Sequence, residues 1–513
     1  MHSLILIHPP AAKPSEPPAG IARLSGFLIH HGAKPFLLDA NLEGMLHLMR
    51  GAGLSGAEFQ DTWTKRALRS RQKNLASLHD GRVFAHPDRY KRAVADINRV
   101  LEVSGRGRGV TVGLANYQDS SLSPLRSADL IRAAETFEEN PFFPYFSERL
   151  TELAGRARPV LIGFSLNYLS QALCTFAMAG FIRKRFPGLM IVLGGGLVTS
   201  WLRRPGWISP FDGLIDLLIA GPGEYPLLSV LGSEGEKKCF PVPDFHGLPA
   251  GDYLSPGTVL PYSASSGCYW NRCAFCPEKA EGNPYAAVPV RRAMEDISSL
   301  VSSMDPALLH LLDNAISPAL LRSLAENPPG PAWYGFARID RQLADSDFCR
   351  ALKRSGCVML KLGVESGDQG VLDRMEKGIG LDMVSRALKA LKRAGIATYV
   401  YLLFGTPYET LTEARRTLEF AEAHREEIGF LNLALFNMPV SAEWTREFET
   451  NSFYEGDLSL YRDFVHPRGW NRKQVRDFLE NEFKKNRAVA SILKKDPPVF
   501  TSNHAPFFLM KKL

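Results

Sequence analysis

The chain has 513 residues, too many for a single hydrophobic core, so two large domains with smaller additions are expected. Apolar residues make up 45% and charged residues 22%, the balance of a soluble globular protein, and seven cysteines over this length do not suggest a disulfide framework. The net charge of +7 is concentrated in residues 65–108 and 468–495; both stretches read as solvated helical faces or as sites for a phosphate-bearing cofactor, an acidic substrate or nucleic acid, and charge alone does not separate these.

No apolar run approaches the 18 residues that span a bilayer, and residues 4–7 are too short for a signal-peptide core, so a cytoplasmic protein is expected. The first forty residues read as strand (4–7), helix (21–30, stopped by Gly32) and strand (36–39), the start of a parallel doubly wound sheet. The pattern then breaks. Residues 44–150 are polar, Arg-rich and helical, without a further clear strand, and are read as an insertion. Strands resume at 160–164, 190–193 and 216–220, with a helix at 170–186, which makes five strands. Gly194, Gly195 and Gly196 follow one of them, and Gly221 and Gly223, with Glu224, follow the next. In open α/β sheets ligands bind beyond the carboxyl ends of the strands, where such glycines let a ligand approach the backbone.

A Pro-rich linker near 240–261 leads to a second domain, about 255–440. Its strands at 308–312, 333–336, 358–364, 398–404 and 430–435 alternate with helices such as 381–394, which argues for a full or partial parallel barrel. Residues 441–513 are expected to form a basic helical extension, in which His466 and His504 are candidate substrate contacts.

The segment Ser265-Ser266-Gly267-Cys268-Tyr269-Trp270-Asn271-Arg272-Cys273-Ala274-Phe275-Cys276-Pro277 carries three thiols within nine residues. Soft thiolates select zinc or iron–sulfur clusters. A structural zinc wants four ligands, and no close Cys/His pair follows at finger spacing. Three cysteines on a cubane cluster leave one iron open, which suits an enzyme that binds substrate on iron. Cys174, Cys239, Cys349 and Cys357 are scattered and read as small buried hydrophobes.

With Phe275 before the last cysteine and a C-x4-C-x2-C spacing, one residue longer than the common C-x3-C-x2-C, this segment resembles the radical S-adenosylmethionine superfamily. The resemblance continues over residues 260–425. It includes Leu311-Leu312-Asp313-Asn314-Ala315, Phe336-Ala337-Arg338-Ile339-Asp340, Leu362-Gly363-Val364-Glu365-Ser366-Gly367, Met375-Glu376-Lys377-Gly378 and Tyr401-Leu402-Leu403-Phe404-Gly405-Thr406-Pro407. It implies a [4Fe–4S] cluster on Cys268, Cys273 and Cys276, S-adenosylmethionine chelated by the open iron, and an external one-electron reductant such as a flavodoxin or ferredoxin. Phe275, Glu365, Ser366 and Gly405 would contact that cofactor, and Asp313, Arg338 and Glu365 would act as catalytic groups at strand ends.

Residues 1–240 contain no G-x-G-x-x-G after the first strand and no Walker-type loop, which argues against nicotinamide and nucleotide hydrolysis. Beside a radical barrel, His8-Pro9-Pro10, Asp39, Gly163-Phe164-Ser165, Gly194-Gly195-Gly196 and Gly221-Pro222-Gly223-Glu224 resemble the cobalamin-binding domain at the front of one radical S-adenosylmethionine class. In that class the corrinoid lies between the two domains. Ser165, the five glycines and Glu224 become its candidate contacts, and with no D-x-H-x-x-G there is no assigned lower histidine ligand. The fold class expected is therefore α/β: a Rossmann-like cobalamin-binding-type domain, a partial (β/α) barrel and a helical extension. The implied activity is cobalamin-dependent C-methylation of an unactivated carbon in a small-molecule substrate. Radical rearrangement or cyclisation is the enzymatic alternative, and a zinc-stabilised nucleic-acid-binding module the alternative of another class.

Overall fold

A computed structural model describes residues 3–51, 61–235, 239–497 and 505–509. Two compact units result: one from the residues up to Val259 together with Glu455–Ser459, the other mainly from Leu260–Tyr454 and Leu460–Asp496.

The first unit is built on a five-stranded sheet: β1 (Ser3–His8), β2 (Lys34–Asp39), β3 (Leu161–Ser165), β4 (Met190–Gly194) and β5 (Leu217–Leu218), in spatial order β2-β1-β3-β4-β5. All four pairings are parallel. Leu4, Ile5, Leu6 and Ile7 are buried consecutively, because a central parallel strand is covered on both faces. The order reverses between β1 and β3, so the crevice that such sheets use for ligands opens beyond His8 and Ser165. The fifth strand is shorter than the expected 216–220. The Asp216 carboxylate takes the Ile191 N–H at 2.7 Å and Arg183 at 2.6 Å, and Gly221, at φ 70°, turns the chain away.

Residues 61–104 are helical, with helices Thr62–His79 and Pro87–Ser104 packed together, but the insertion also holds an antiparallel hairpin that the sequence reading missed. Val110–Gly113 pairs with Asn116–Asp119, burying Val110, Val112 and Tyr117.

The second unit contains β6 (Val259–Tyr262), β7 (Leu308–Leu311), β8 (Ala332–Ala337), β9 (Cys357–Glu365), β10 (Ala397–Phe404) and β11 (Phe430–Leu435) in sequential order, with β7 through β11 paired in parallel. Helices in each of the five connections between the six strands make this a partial barrel. Helix Leu381–Ala394 shows why: Val384, Ala387, Leu388 and Leu391 recur at helical spacing and are buried, and Gly395 in the left-handed region ends it. The extension is not wholly helical. Met438–Pro439, Tyr461–Phe464 and Thr450–Ser452 form a small antiparallel sheet before helices Arg472–Phe478 and Arg487–Leu493. No helix among the described residues is long and apolar enough to cross a membrane.

Candidate active site and cofactor crevice

The cysteine loop leaves the barrel just after β6. Its entrance is fixed by Asp313, which is buried and accepts the Ala264 N–H at 3.1 Å and the Ser265 hydroxyl. Asp313 therefore holds the loop's approach strand. Ser265–Ser266 pairs with Ala286–Ala287. At Gly267 (φ 70°) an added Cβ would sit 2.5 Å from the Pro284 carbonyl, so only glycine lets the loop turn here. Asn271, at φ 43°, supplies the left-handed turn within the longer spacing between Cys268 and Cys273, a conformation asparagine tolerates. Cys268, Cys273 and Cys276 are all free and partly exposed.

Two cations border this loop. The Arg338 guanidinium lies 3.7 Å from the Trp270 ring centroid and donates to the carbonyls of Lys377 and Gly378. Gly378 is obligatory, since a Cβ there would lie 2.3 Å from Trp270. Lys377 lies 2.8 Å from the Glu365 carboxylate, and its ammonium stands 5.6 Å from the centroid of Phe275. Both partners of the Glu365–Lys377 pair are largely buried, at 13% and 11% side-chain exposure, so water screens it weakly. Burial raises the Cys273 thiol above its ordinary range, and the charges of Lys377 and Arg338 offset only part of that rise. Burial pushes Cys276 up to about 11. The donor set of three accessible thiols beside two cations fits a soft metal centre bound as thiolates. Glu365 itself sits at φ 69°, where β9 breaks register against β10. Such strain in a non-glycine residue concentrates at functional sites.

The other expected contacts divide. Ser366 is fully buried, 3.2 Å from the Thr417 hydroxyl, and accepts the Asp368 N–H, so it secures the turn after β9. Gly405 (φ 78°) donates its N–H to Glu409, which also accepts the Trp470 indole at 3.3 Å; burial pushes that carboxyl up to about 8. His466 is buried. One ring nitrogen lies 3.0 Å from the Thr406 carbonyl, and the other accepts the N–H groups of Arg468 and Trp470 at 3.1 and 3.2 Å. It braces the loop after β10 and is not the substrate contact expected. His504 lies outside the described residues. Cys174, Cys349 and Cys357 are buried with thiols pushed up, to about 12 in the first two, as expected of structural cysteines. Lys377 and Trp270 escaped the sequence reading, although Met375-Glu376-Lys377-Gly378 had been noted as a motif.

In the first unit Ser165 and Gly194 stand opposite each other at the ends of β3 and β4. The Ser165 hydroxyl accepts Asn167 Nδ2 at 3.1 Å. The three consecutive glycines are not equivalent. A Cβ on Gly194 or Gly196 would meet nothing nearer than 3.8 Å, whereas at Gly195 (φ 105°) it would lie 2.4 Å from the Leu166 carbonyl. Gly194, Gly196 and the open Gly221 thus leave a cradle that side chains would fill, which fits a large ligand against the backbone; Gly195 is demanded by the chain itself. Gly223 packs at ordinary distance from Leu24, and Glu224 is buried in an ion pair through Oε1 with Arg23 at 2.6 Å, joining two helices, while its buried Oε2 has no hydrogen-bond partner among the described residues.

Residues 338–421, from Arg338 through β9 and β10, match the family described as the Radical SAM superfamily. The chain is similar to this superfamily over that stretch. Among curated proteins it is 27% identical over 192 residues to an uncharacterised methyltransferase of Pyrococcus horikoshii, covering 36% of this chain and 41% of that protein. It is 26% identical over 282 residues to the hopanoid C-3 methylase of Methylococcus capsulatus, covering 48% and 53%. The matches thus span about half the length of these relatives or less. Two solved structures share the fold. TsrM from Kitasatospora setae, a radical S-adenosylmethionine methyltransferase, superposes at TM-score 0.53 and 16% identity over 88% of this chain and 79% of that one. The cobalamin-dependent S-adenosylmethionine radical enzyme OxsB does so at 0.52 and 14% over 82% and 52%.

Proposed function

We propose that this protein is a cobalamin-dependent radical S-adenosylmethionine enzyme that methylates an unactivated carbon of a small-molecule substrate. The observation that carries the reading is the presence in one chain of a doubly wound sheet with an open glycine cradle and a partial barrel whose three-thiol loop is bordered by Arg338, Lys377 and Glu365. Cys268, Cys273 and Cys276 would hold a [4Fe–4S] cluster, and Gly194, Gly196, Gly221 and Ser165 would line the corrinoid tail. Together the bound groups supply a 5′-deoxyadenosyl radical for hydrogen abstraction and a methyl group for transfer.

The chain's own residues provide placement and charge. Arg338, stacked on Trp270 and bonded to two carbonyls, keeps the loop against the end of β8. Lys377 bonds to Glu365 at 2.8 Å and holds its carboxylate in place, where it would contact polar groups of S-adenosylmethionine. The two cations favour the thiolate form of Cys273. Glu409, Trp470 and His466 hold the turn after β10 rigid. A reducing, cytoplasmic setting with a flavodoxin- or ferredoxin-type donor belongs to the same reading, because exposed thiolates and an open iron require it.

Equilibrium dialysis against hydroxocobalamin tests the reading. The protein should retain about one equivalent with a base-off spectrum, there being no lower histidine. Retention of none would leave a radical enzyme that does not methylate through cobalamin.

A further inference from the structure

The first unit carries a second group of soft ligands, remote in sequence from the cysteine loop. A nitrogen of His30, a nitrogen of His31 and the Cys239 sulfur all lie within 4.8 Å of one another. Consecutive residues within an α-helix point about 100° apart and do not converge. Here helix Ala19–His30 ends at His30, and His31 is its cap at φ −94°, ψ 17°, which swings the second imidazole toward the first; the ring centroids are 5.1 Å apart.

Several features pre-organise the three groups. His31 Nδ1 lies 2.9 Å from the Phe27 carbonyl, the outer hydrogen bond that fixes the tautomer of metal-binding histidines and leaves Nε2 as the lone-pair donor. That Nε2 lies 3.1 Å from where a Cβ on Gly235 would stand. The ring rests on Phe27 (4.4 Å), Phe27 meets Tyr225 edge-on (5.1 Å), and the Tyr225 hydroxyl accepts the Cys239 N–H at 3.4 Å. One aromatic stack thereby positions both the histidine and the cysteine. The negative end of the helix dipole, at its last carbonyls, adds attraction for a cation.

We infer that His30, His31 and Cys239 form a zinc site, with a water molecule as fourth ligand, that clasps the segment at Cys239 onto the end of helix Ala19–His30. One thiolate with two imidazoles is a soft-to-borderline set that rejects magnesium and calcium, and three protein ligands with one open position is a common zinc arrangement. Binding replaces the thiol proton, so the site takes up Zn2+ with release of one proton near neutral pH. It is independent of the cluster and of the proposed methyl transfer.

The test uses holoprotein whose cluster has first been reconstituted, so that Cys268, Cys273 and Cys276 are occupied. Zn2+ is then titrated in competition with a chromophoric chelator. One equivalent should bind, and Cys239→Ser or His31→Ala should weaken it by at least ~100-fold, beyond the usual cost of losing only an outer partner, with iron content unchanged. Equal zinc binding by wild type and Cys239→Ser overturns the assignment. A second measurement needs no variant: alkylation of Cys239 should slow at least ~10-fold with Zn2+ and not with Mg2+, and equal rates would overturn it.

Discussion

Valine at Gly195 and valine at Gly194 should have opposite consequences, although the two glycines are neighbours at the same sheet edge. At Gly195 the backbone is at φ 105°, ψ 177°, a region nearly restricted to glycine, and a Cβ would lie 2.4 Å from the Leu166 carbonyl. The conformational strain costs about 1–3 kcal/mol and the overlap a further ~1–3. Gly195→Val should therefore destabilise the first unit by on the order of 3–5 kcal/mol, a large share of the roughly 5–15 kcal/mol that holds a typical domain folded. At Gly194 the nearest atoms are 3.8 Å away and the backbone is an ordinary strand, where valine is favoured. Gly194→Val should cost less than about 1 kcal/mol, yet fill the cradle and lower hydroxocobalamin retention at least tenfold. Thermal unfolding followed by tryptophan fluorescence reads the first effect, since Trp201 is buried on the helix that follows. Equilibrium dialysis reads the second. If Gly194→Val binds cobalamin as wild type does, the cradle is not where the corrinoid tail lies. If Gly195→Val is as stable as wild type, the steric reasoning is wrong.

Alanine at Cys268, Cys273 or Cys276 should abolish iron incorporation after anaerobic reconstitution, whereas alanine at Cys174, Cys349 or Cys357 should leave iron per chain unchanged; zinc in place of iron would contradict the cluster assignment. Lys377→Met should raise the Kd for S-adenosylmethionine about tenfold or more by releasing Glu365, as should Glu365→Gln, with the iron content of both variants intact; parallel loss of iron would recast the pair as a brace for the cysteine loop. The folded Glu409 carboxyl has its pKa raised from 4.5 to about 8, so the folded state holds this proton more tightly than the unfolded state does. Its contribution to stability is therefore greatest below about 4.5, is lost as pH rises toward about 8, and amounts at most to on the order of 5 kcal/mol. Glu409→Gln, which keeps an acceptor for Gly405 and Trp470, should flatten that part of the stability–pH curve, and an unchanged slope would refute the assignment.

The parallel sheets were legible because their central strands carry apolar runs, as in residues 4–7 and 190–193, set between helices at regular spacing. The hairpin at 110–119 and the sheet at 438–464 were not, because strands of two to four residues bury too few side chains to impose a period on polar sequence. Within the site the three thiols announced themselves by spacing and Glu365 by its motif. Lys377 did not, since only the fold brings it back over twelve residues to Glu365 and next to Phe275. The same limit misled the reading in the other direction. Ser366 and His466 have the chemistry of ligand contacts, but in the structure their side chains bond to the chain itself, which residue type cannot reveal. Likewise, three consecutive glycines look interchangeable in sequence, and only backbone dihedrals separate the one required by the fold from the two that leave room for a ligand.

The most direct test of the central claim is cleavage of S-adenosylmethionine by the anaerobically reconstituted protein under a strong one-electron reductant, followed by chromatography of the products. The account predicts 5′-deoxyadenosine that requires the reductant and disappears in Cys268→Ala, Cys273→Ala and Cys276→Ala. A wild-type protein with a full iron complement that forms no 5′-deoxyadenosine above those variants would contradict it.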